Sequence, residues 1–509
     1  MKRRLFLAPQ IGEREPAFSF LSRLAARYRV PTRDFATDMG LTFAKIIDGE
    51  ETEIAKLAKL AHVEPEPLLE WSPVFLGNRV HRFRGHLMHA RAIKETVVRG
   101  CPDCLREDLE HASNTTECAM YLRGDWLFRP VTFCAKHNRP LVQLWSEKTK
   151  TDRYDISARM AAITPAIVSG ELDQPTREPQ DFDQWIEKRL TGVPSDLWLD
   201  QFSLYPAAHF CELLGRAIWA VEIPESQKFL PHEAWKSFSM GFKFAKEGED
   251  YIREALTDLQ EMVGEPTDGP KKKFGDLYDR LAFDLTSEEY APFRSLLRDH
   301  ILQTWPLGPG DDLMGEPVYE RRIHSVLTVS RELGIDSRRM RKLLVDGGIV
   351  RPLEKGRSDA WELFDAVKAA PFLDSFSALG SARDLQDALN IPRYQFDLLR
   401  QDGYFPPQLG SADHKPLWDI RGARHFIDKL LTGAEPVYVP MHAWSNLRNA
   451  TQSLKVRPSV IIRLIEDGKL LRVGKHMGRD GYEAILVTID EVERLLQRPE
   501  APGVSIDIF

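Results

Sequence analysis

Cys101-Pro102-Asp103-Cys104 and, after 29 intervening residues, Cys134-Ala135-Lys136-His137 decide how the first part of this chain folds. One half is Cys-x-x-Cys and the other Cys-x-x-His, each spaced so that both side chains can turn onto one ion. Three sulfurs and one nitrogen suit tetrahedral zinc, and four protein ligands leave no open position for a catalytic water. The spacing therefore predicts a structural Zn2+ site on Cys101, Cys104, Cys134 and His137, whose ion helps to fold a small module. His111 and Cys118 lie between the two pairs, but their separation of seven residues is not a chelate spacing. Cys118 and Cys211 read as small buried hydrophobes.

Composition narrows the setting. The chain has 509 residues and 5 cysteines, three of them in the cluster, which is not a disulfide framework and predicts a cytoplasmic home. No run of about 18 apolar residues predicts a membrane span. The start, Met1-Lys2-Arg3-Arg4-Leu5-Phe6-Leu7, lacks the apolar stretch of a signal peptide. A net charge of −7 means that any affinity for nucleic acid must come from local basic patches.

Around the ligands the chain reads Cys101-Pro102-x-Cys104-Leu105-x-Glu107-Asp108, then Tyr121-x-Arg123-x-x-Trp126, then Cys134-x-x-His137-x-x-x-Leu141. This pattern resembles the TniQ/TnsD family of transposition target-selection proteins. Glu15-Pro16-Ala17-Phe18-Ser19-Phe20-Leu21-Ser22-Arg23-Leu24-Ala25 looks like that family's opening helix. The resemblance is strong over residues 10 to 142 and weaker through about residue 350. It implies a non-enzymatic adaptor that binds double-stranded DNA and recruits a transposon AAA+ ATPase of the TnsC/TniB kind. One departure is that many relatives carry a second Cys-x-x-Cys soon after the histidine. Here Leu141-Val142-Gln143-Leu144-Trp145-Ser146 follows, so no second zinc site is expected.

Upstream, Ser19 to Tyr28 places Phe20, Leu21 and Leu24 on one helix face and Arg23 and Arg27 on another. Ile54, Leu57, Ala58 and Ala61 mark a second helix, which Val63-Glu64-Pro65 ends before Leu68, Leu69 and Trp71. Helix, short turn and helix is the outline of a helix-turn-helix, with plain helix packing as the alternative. Arg79, Arg82, Arg84, Arg91, Lys94 and Arg99 then face a single acid, Glu95. Phosphate contact is expected there, with Phe83 and Leu87 as the apolar side. His81, His86 and His89 lack the partners of a metal site.

Residues 147 to 182 are polar, with Gly170, Pro175 and Pro179, and read as a linker. From Phe182 to Gly308 the apolar spacing is helical. Trp185, Ile186 and Leu190 mark one helix, His209 to Ala220 another, and Phe244 to Val263 a long one. No phosphate loop, nucleophile elbow or His-Glu-x-x-His occurs, so a scaffold is expected rather than a catalytic pocket.

The C-terminal part repeats itself. Leu-x-(Ile/Val)-x7-Leu-x2-Asp-Gly occurs as Leu333, Ile335, Leu343, Asp346, Gly347; as Leu389, Ile391, Leu399, Asp402, Gly403; and as Leu454, Val456, Leu464, Asp467, Gly468. Constant offsets signal one supersecondary unit used three times. The reading is helix, turn at Gly334, Asn390 or Lys455, and second helix, closed by the final glycine. An apolar segment and a closing helix follow each, as in winged helix domains of the MerR/excisionase kind. Candidate DNA contacts are Arg338, Arg339, Arg341 and Lys342 in the first unit and Arg393 in the second. The third offers Arg457, Lys475 and Arg479, and the first half adds Arg82 and Arg84. The second unit is the least basic, and a protein partner is its alternative.

The expected fold is thus mainly α. A helical helix-turn-helix domain (1–78) precedes a Cys3His zinc module (79–146), a linker (147–182) and a helical scaffold (183–317). Three tandem winged-helix-like units follow, at 318–376, 377–432 and 433–509. The expected function is a zinc-containing DNA-binding adaptor of transposition, and the alternative is a transcriptional regulator built from the same units.

Overall fold

The computed structural model describes residues 8–93, 96–111, 118–222, 233–352, 358–376, 378–411, 414–441 and 443–497. Lys94 and Glu95 of the basic stretch and the opening Met1–Leu7 lie outside these. The chain divides into two compact units, Met1–Arg321 and Arg322–Phe509. Both are mainly helical.

The first unit opens with the helix Ala17–Arg27, which is buried from Ala17 to Ala25. Short helices at Thr32–Asp38 and Phe43–Ile47 follow, then Glu51–Ala61 and Glu66–Glu70. Ile54, Leu57, Ala58 and Ala61 do form the inner face of Glu51–Ala61. His62 ends that helix in a left-handed conformation ahead of Pro65.

The basic stretch is a sheet rather than a helix surface. Val74–Gly77, Val80–Phe83 and His86–His89 pair antiparallel, with Arg82 opposite Leu87 and Phe83 opposite His86. Phe83 is buried under Trp71, whereas Leu87 is exposed beside Arg82. The expected common apolar side of Phe83 and Leu87 is therefore wrong, because alternation along a strand puts the two on opposite faces.

The expected linker is also wrong. Helices Lys150–Arg153 and Ile156–Ser169 occupy half of it, and Ile156, Met160 and Ile167 are buried. Asp155 accepts hydrogen bonds from Ser22 and Thr32 (3.0 and 2.6 Å), and so docks this segment on the opening helix. Polar composition hid it, since its polar residues are partnered inside the fold. Only after Gly170, at φ +77°, does the chain run irregularly to the helix Asp181–Thr191.

The helical scaffold continues with Leu204–Glu222, Trp235–Ala245, Glu249–Met262, Pro270–Asp279 and Ala291–Thr304. The long helix expected over Phe244 to Val263 is broken by Gly248, at φ +106°, a conformation that side chains disfavour. Two other glycines set the closest helix pair. A Cβ on Gly215 would lie 1.8 Å from the Ser237 carbonyl oxygen, and one on Gly241 would lie 1.9 Å from that of Cys211. Backbone faces backbone there, and Cys211 is buried in the same seam, as expected of a small hydrophobe.

Gly241→Ala should therefore destabilise the first unit by at least ~1–3 kcal/mol through overpacking. That outweighs the ~1 kcal/mol of helix propensity alanine brings. Urea unfolding followed by tryptophan fluorescence checks this, and an unchanged midpoint would refute it.

In the second unit each repeat forms a helix, a left-handed turn and a second helix. These are Val326–Leu333 with Ser337–Asp346, Ala382–Leu389 with Arg393–Gln401, and Leu447–Leu454 with Pro458–Glu466. Gly334, Asn390 and Lys455 hold the turns at φ +65°, +50° and +53°. Gly403 and Gly468 close the second helices at positive φ, but in the first repeat the cap has slipped to Gly348 because that helix runs one residue longer. Small antiparallel sheets and the helices Ala366–Asp374, Ile420–Leu430 and Ile489–Leu496 complete the three. The third sheet has one parallel edge, Glu435–Val437 beside Val473–His476.

The cores are not one per repeat. Val326, Val329, Met340, Leu344 and Leu373 fill the first. A single second cluster contains Leu385, Phe396, Leu399 and Ile427 together with Ile461, Ile462, Tyr482 and Val487. The second and third repeats are built around the same interior.

Candidate metal centre

Cys101 caps the helix Pro102–Glu110 at its N-terminus, and Cys104 stands in the first turn. Opposite them, Phe133–Cys134 pairs with Arg139–Pro140 as a tight hairpin. His137 lies in its turn, and Asn138 at φ +52° completes the reversal. Helix and hairpin are clamped from outside. Asp103 receives Arg139 at 2.6 Å and also pairs with Arg106, which reaches Asp173 at 2.7 Å.

The four expected ligands converge. Cys104 Sγ lies 3.6 Å from Cys134 Sγ and 3.3 Å from His137 Nδ1. Cys101 and Cys134 sulfurs are each 3.6 Å from that nitrogen. All four donor atoms fall within 4.8 Å of one another, and the three cysteines are buried. A tetrahedron with Zn–S bonds of ~2.3 Å has edges of roughly 3.8 Å, so the donors already stand at the corners such an ion requires. Hydrogen bonding with Cys101 and Cys134, followed by burial, pushes the Cys104 thiol well up. A cation among the sulfurs would relieve this by favouring thiolates. Neither His111 nor Cys118 joins the group. The His111 ring meets the Glu107 carbonyl at 2.8 Å, and the Cys118 carbonyl accepts from Arg23.

Two members of the motif had no role assigned from sequence. Glu107 Oε1 lies 2.9 Å from His137 Nε2, the ring nitrogen facing away from the sulfurs. Lys136 and then His137 hold that carboxyl below the usual range, so it stays ionised. A carboxylate on the outer nitrogen fixes the tautomer that leaves Nδ1 for the metal. The signal was present, because Glu107 follows Cys104 by one helical turn. Arg123 is the second. It makes paired 2.8 Å bonds to Asp108, lies over the rings of Tyr121 and Trp126, and feels the charge of Cys104. It thus offsets the net negative charge that three thiolates and one divalent ion would leave.

The candidate DNA residues are scattered, and several have partners. Arg82 is exposed. Arg84 is half-buried over Trp71, donating to the Leu190 carbonyl and pairing with Glu70. Arg23, expected to be exposed, is 7% exposed and bonded to Glu15. In the first repeat, Arg338 and Lys342 are exposed and Arg339 is partly so, while Arg341 is held by Asp359 at 2.6 Å and by Glu362. Arg393 is exposed near Asp397. Arg457 pairs with Asp402 at 2.9 Å. Lys475 is exposed, and Arg479 pairs with Glu483 at 2.7 Å. The three histidines do not cluster. His81 is buried, and His86 meets the Arg189 carbonyl.

Among the described residues no helix is long and apolar enough to cross a membrane. No curated protein matches the chain in sequence. Residues 6–141 match the family model described as TniQ, and that segment ends just beyond the fourth metal ligand. Residues 6–141 thus form a TniQ domain, which suggests involvement in the selection of targets in transposition.

Proposed function

We propose that this protein is a non-catalytic, zinc-containing adaptor that selects target DNA in the cytoplasm and recruits a transposon AAA+ ATPase. The observation that carries the reading is the coincidence of the TniQ match with the closed Cys3His cluster. Zinc at Cys101, Cys104, Cys134 and His137 would have no free coordination position, so its role is to hold helix and hairpin together. The unit Met1–Arg321 is the ATPase-binding part. The three repeats are winged helix-turn-helix units, and the unit Arg322–Phe509 is the part that meets duplex DNA.

The test is capture of a transposon AAA+ ATPase of the TnsC/TniB kind. A fragment of residues 1–321 should retain it and one of residues 322–509 should not. The second should choose sequence in duplex DNA, with an affinity that falls steeply as salt rises, and the first should add backbone contacts only, at Arg82. Capture by the C-terminal fragment alone would reverse this division, and metal-dependent nicking by the pure protein would end the adaptor reading.

A further inference from the structure

We propose that only the first repeat inserts its second helix into DNA, and that the second and third repeats use theirs to bind each other. This rests on the DNA-binding reading above and assigns it to one helix.

The constant offsets of the repeat align Arg338 with Tyr394 and Ser459, Arg339 with Gln395 and Val460, and Lys342 with Leu398 and Arg463. In a groove-binding helix the N-terminal residues meet base edges. Those positions have different fates in the three units. Gln395 is 3% exposed. It donates to Thr451 Oγ1 at 3.2 Å and accepts from the Tyr482 hydroxyl at 2.8 Å, and both partners belong to the third repeat. Ser459 is buried, and its hydroxyl donates to Asp402 of the second repeat. Arg457, just ahead of its helix, is tied to Asp402 and to Gln401 at 2.8 Å. The helices Arg393–Gln401 and Pro458–Glu466 also send Phe396, Leu399, Ile461 and Ile462 into one shared core. A groove cannot take residues already consumed by a partner helix, and freeing them would leave Gln395 and Asp402 without partners.

Among the described residues no helix of another repeat occupies the exposed face of Ser337–Asp346. Met340 and Leu344 face its own small core, and Arg341 is fixed by Asp359. Arg338 and Lys342 point to solvent, with Arg339 at their side. This is a cationic ridge of three residues within a span of five on a helix, which fits the phosphate-walled major groove. Arginine there matches the acceptor pair of guanine.

The test compares full-length variants by selection from random duplexes and by equilibrium binding. Both target sets are exposed, and thermal melts check that each variant folds. Arg338→Ala with Lys342→Ala should erase the selected sequence and weaken binding at least about tenfold. Tyr394→Ala with Arg463→Ala, at the exposed positions aligned with Arg338 and Lys342, should leave the selected sequence unchanged and binding within about threefold. A sequence preference that shifts with the second pair, or survives the first, overturns the assignment. If the unaltered chain recovers no sequence and binds no duplex at low salt, the DNA-binding reading itself fails and this assignment with it.

Discussion

Cys104→Ser should strip the protein of close to one zinc per chain and lower the unfolding temperature of the first compact unit. Cys104 Sγ lies 3.3 and 3.6 Å from two of the other donors, and it joins the Pro102–Glu110 helix to the hairpin. Structural zinc contributes roughly 10–16 kcal/mol of apparent binding energy in zinc-finger peptides at neutral pH, much of it coupled to folding. Even a partial loss therefore exceeds most single-residue effects. Glu107→Gln should act more mildly, weakening the metal about 10- to 100-fold while leaving four ligands in place. Affinity should fall in acid, because the thiols must lose protons to bind. Elemental analysis and competition with a chelator measure all three. Full zinc retention in a Cys101→Ser/Cys134→Ser variant would sink the assignment.

The second large effect lies at a buried ion pair. Glu15 has a fully buried side chain, and Arg23 reaches it at 2.6 Å. Arg23 also donates to the carbonyls of Cys118 (2.7 Å) and Gln10 (3.2 Å), so it closes the opening helix against two other segments. Removing one partner of a buried pair leaves an uncompensated charge and costs about 3–5 kcal/mol. Arg23→Ala should cost that much in denaturant unfolding. Burial already pushes the Glu15 carboxyl up from 4.5, and Arg23 is the chief force opposing it. A carboxyl raised in the folded state adds stability only while protonated, and loses it as pH climbs through the folded value. Without Arg23 the rise is larger, so the deficit should be greatest at neutral pH and shrink toward pH 4. Adding Glu15→Gln should recover part of it, which a double-mutant cycle reads directly. A deficit independent of pH would mean that packing, not charge, is what Arg23 supplies.

The Cys3His cluster was legible because chelate spacing is local. Two residues apart on a helix turn or a hairpin can share an ion whatever the rest of the fold does. The repeat was legible for a similar reason, since a left-handed turn at Gly334 or Asn390 is a demand on one residue. Lys455 meets the same demand without the residue type that announces it. What sequence did not carry was who faces whom. Arg23 and Arg84 look like solvent-facing cations, yet one neutralises a buried acid and the other covers Trp71. Arg457 looks like a phosphate contact, yet Asp402 takes it from 55 positions earlier in the chain. Charge on an amphipathic pattern reports a surface of the element, and only tertiary packing decides whether that surface meets water. The strands of the basic stretch were missed because their alternation is broken by Gly77 and Gly85 in tight reversals.

The interior shared by Phe396, Ile427, Tyr482 and Val487 has a consequence for biosynthesis. Asn390 donates to the Asp480 carbonyl at 3.1 Å, and Gly481 sits so close to the Leu389 carbonyl that no side chain fits. The helices up to Leu430 leave the ribosome with half their apolar faces uncovered. They must wait roughly 60 residues, about 3–12 s at ~5–20 residues per second, for the strand Ile485–Thr488 and the helix Ile489–Leu496 that seal them. Translation pauses or premature stops in that interval expose a sticky half-core, so a nascent chain halted there is a natural substrate for chaperones, whereas one halted after Asp374 has already closed its first repeat.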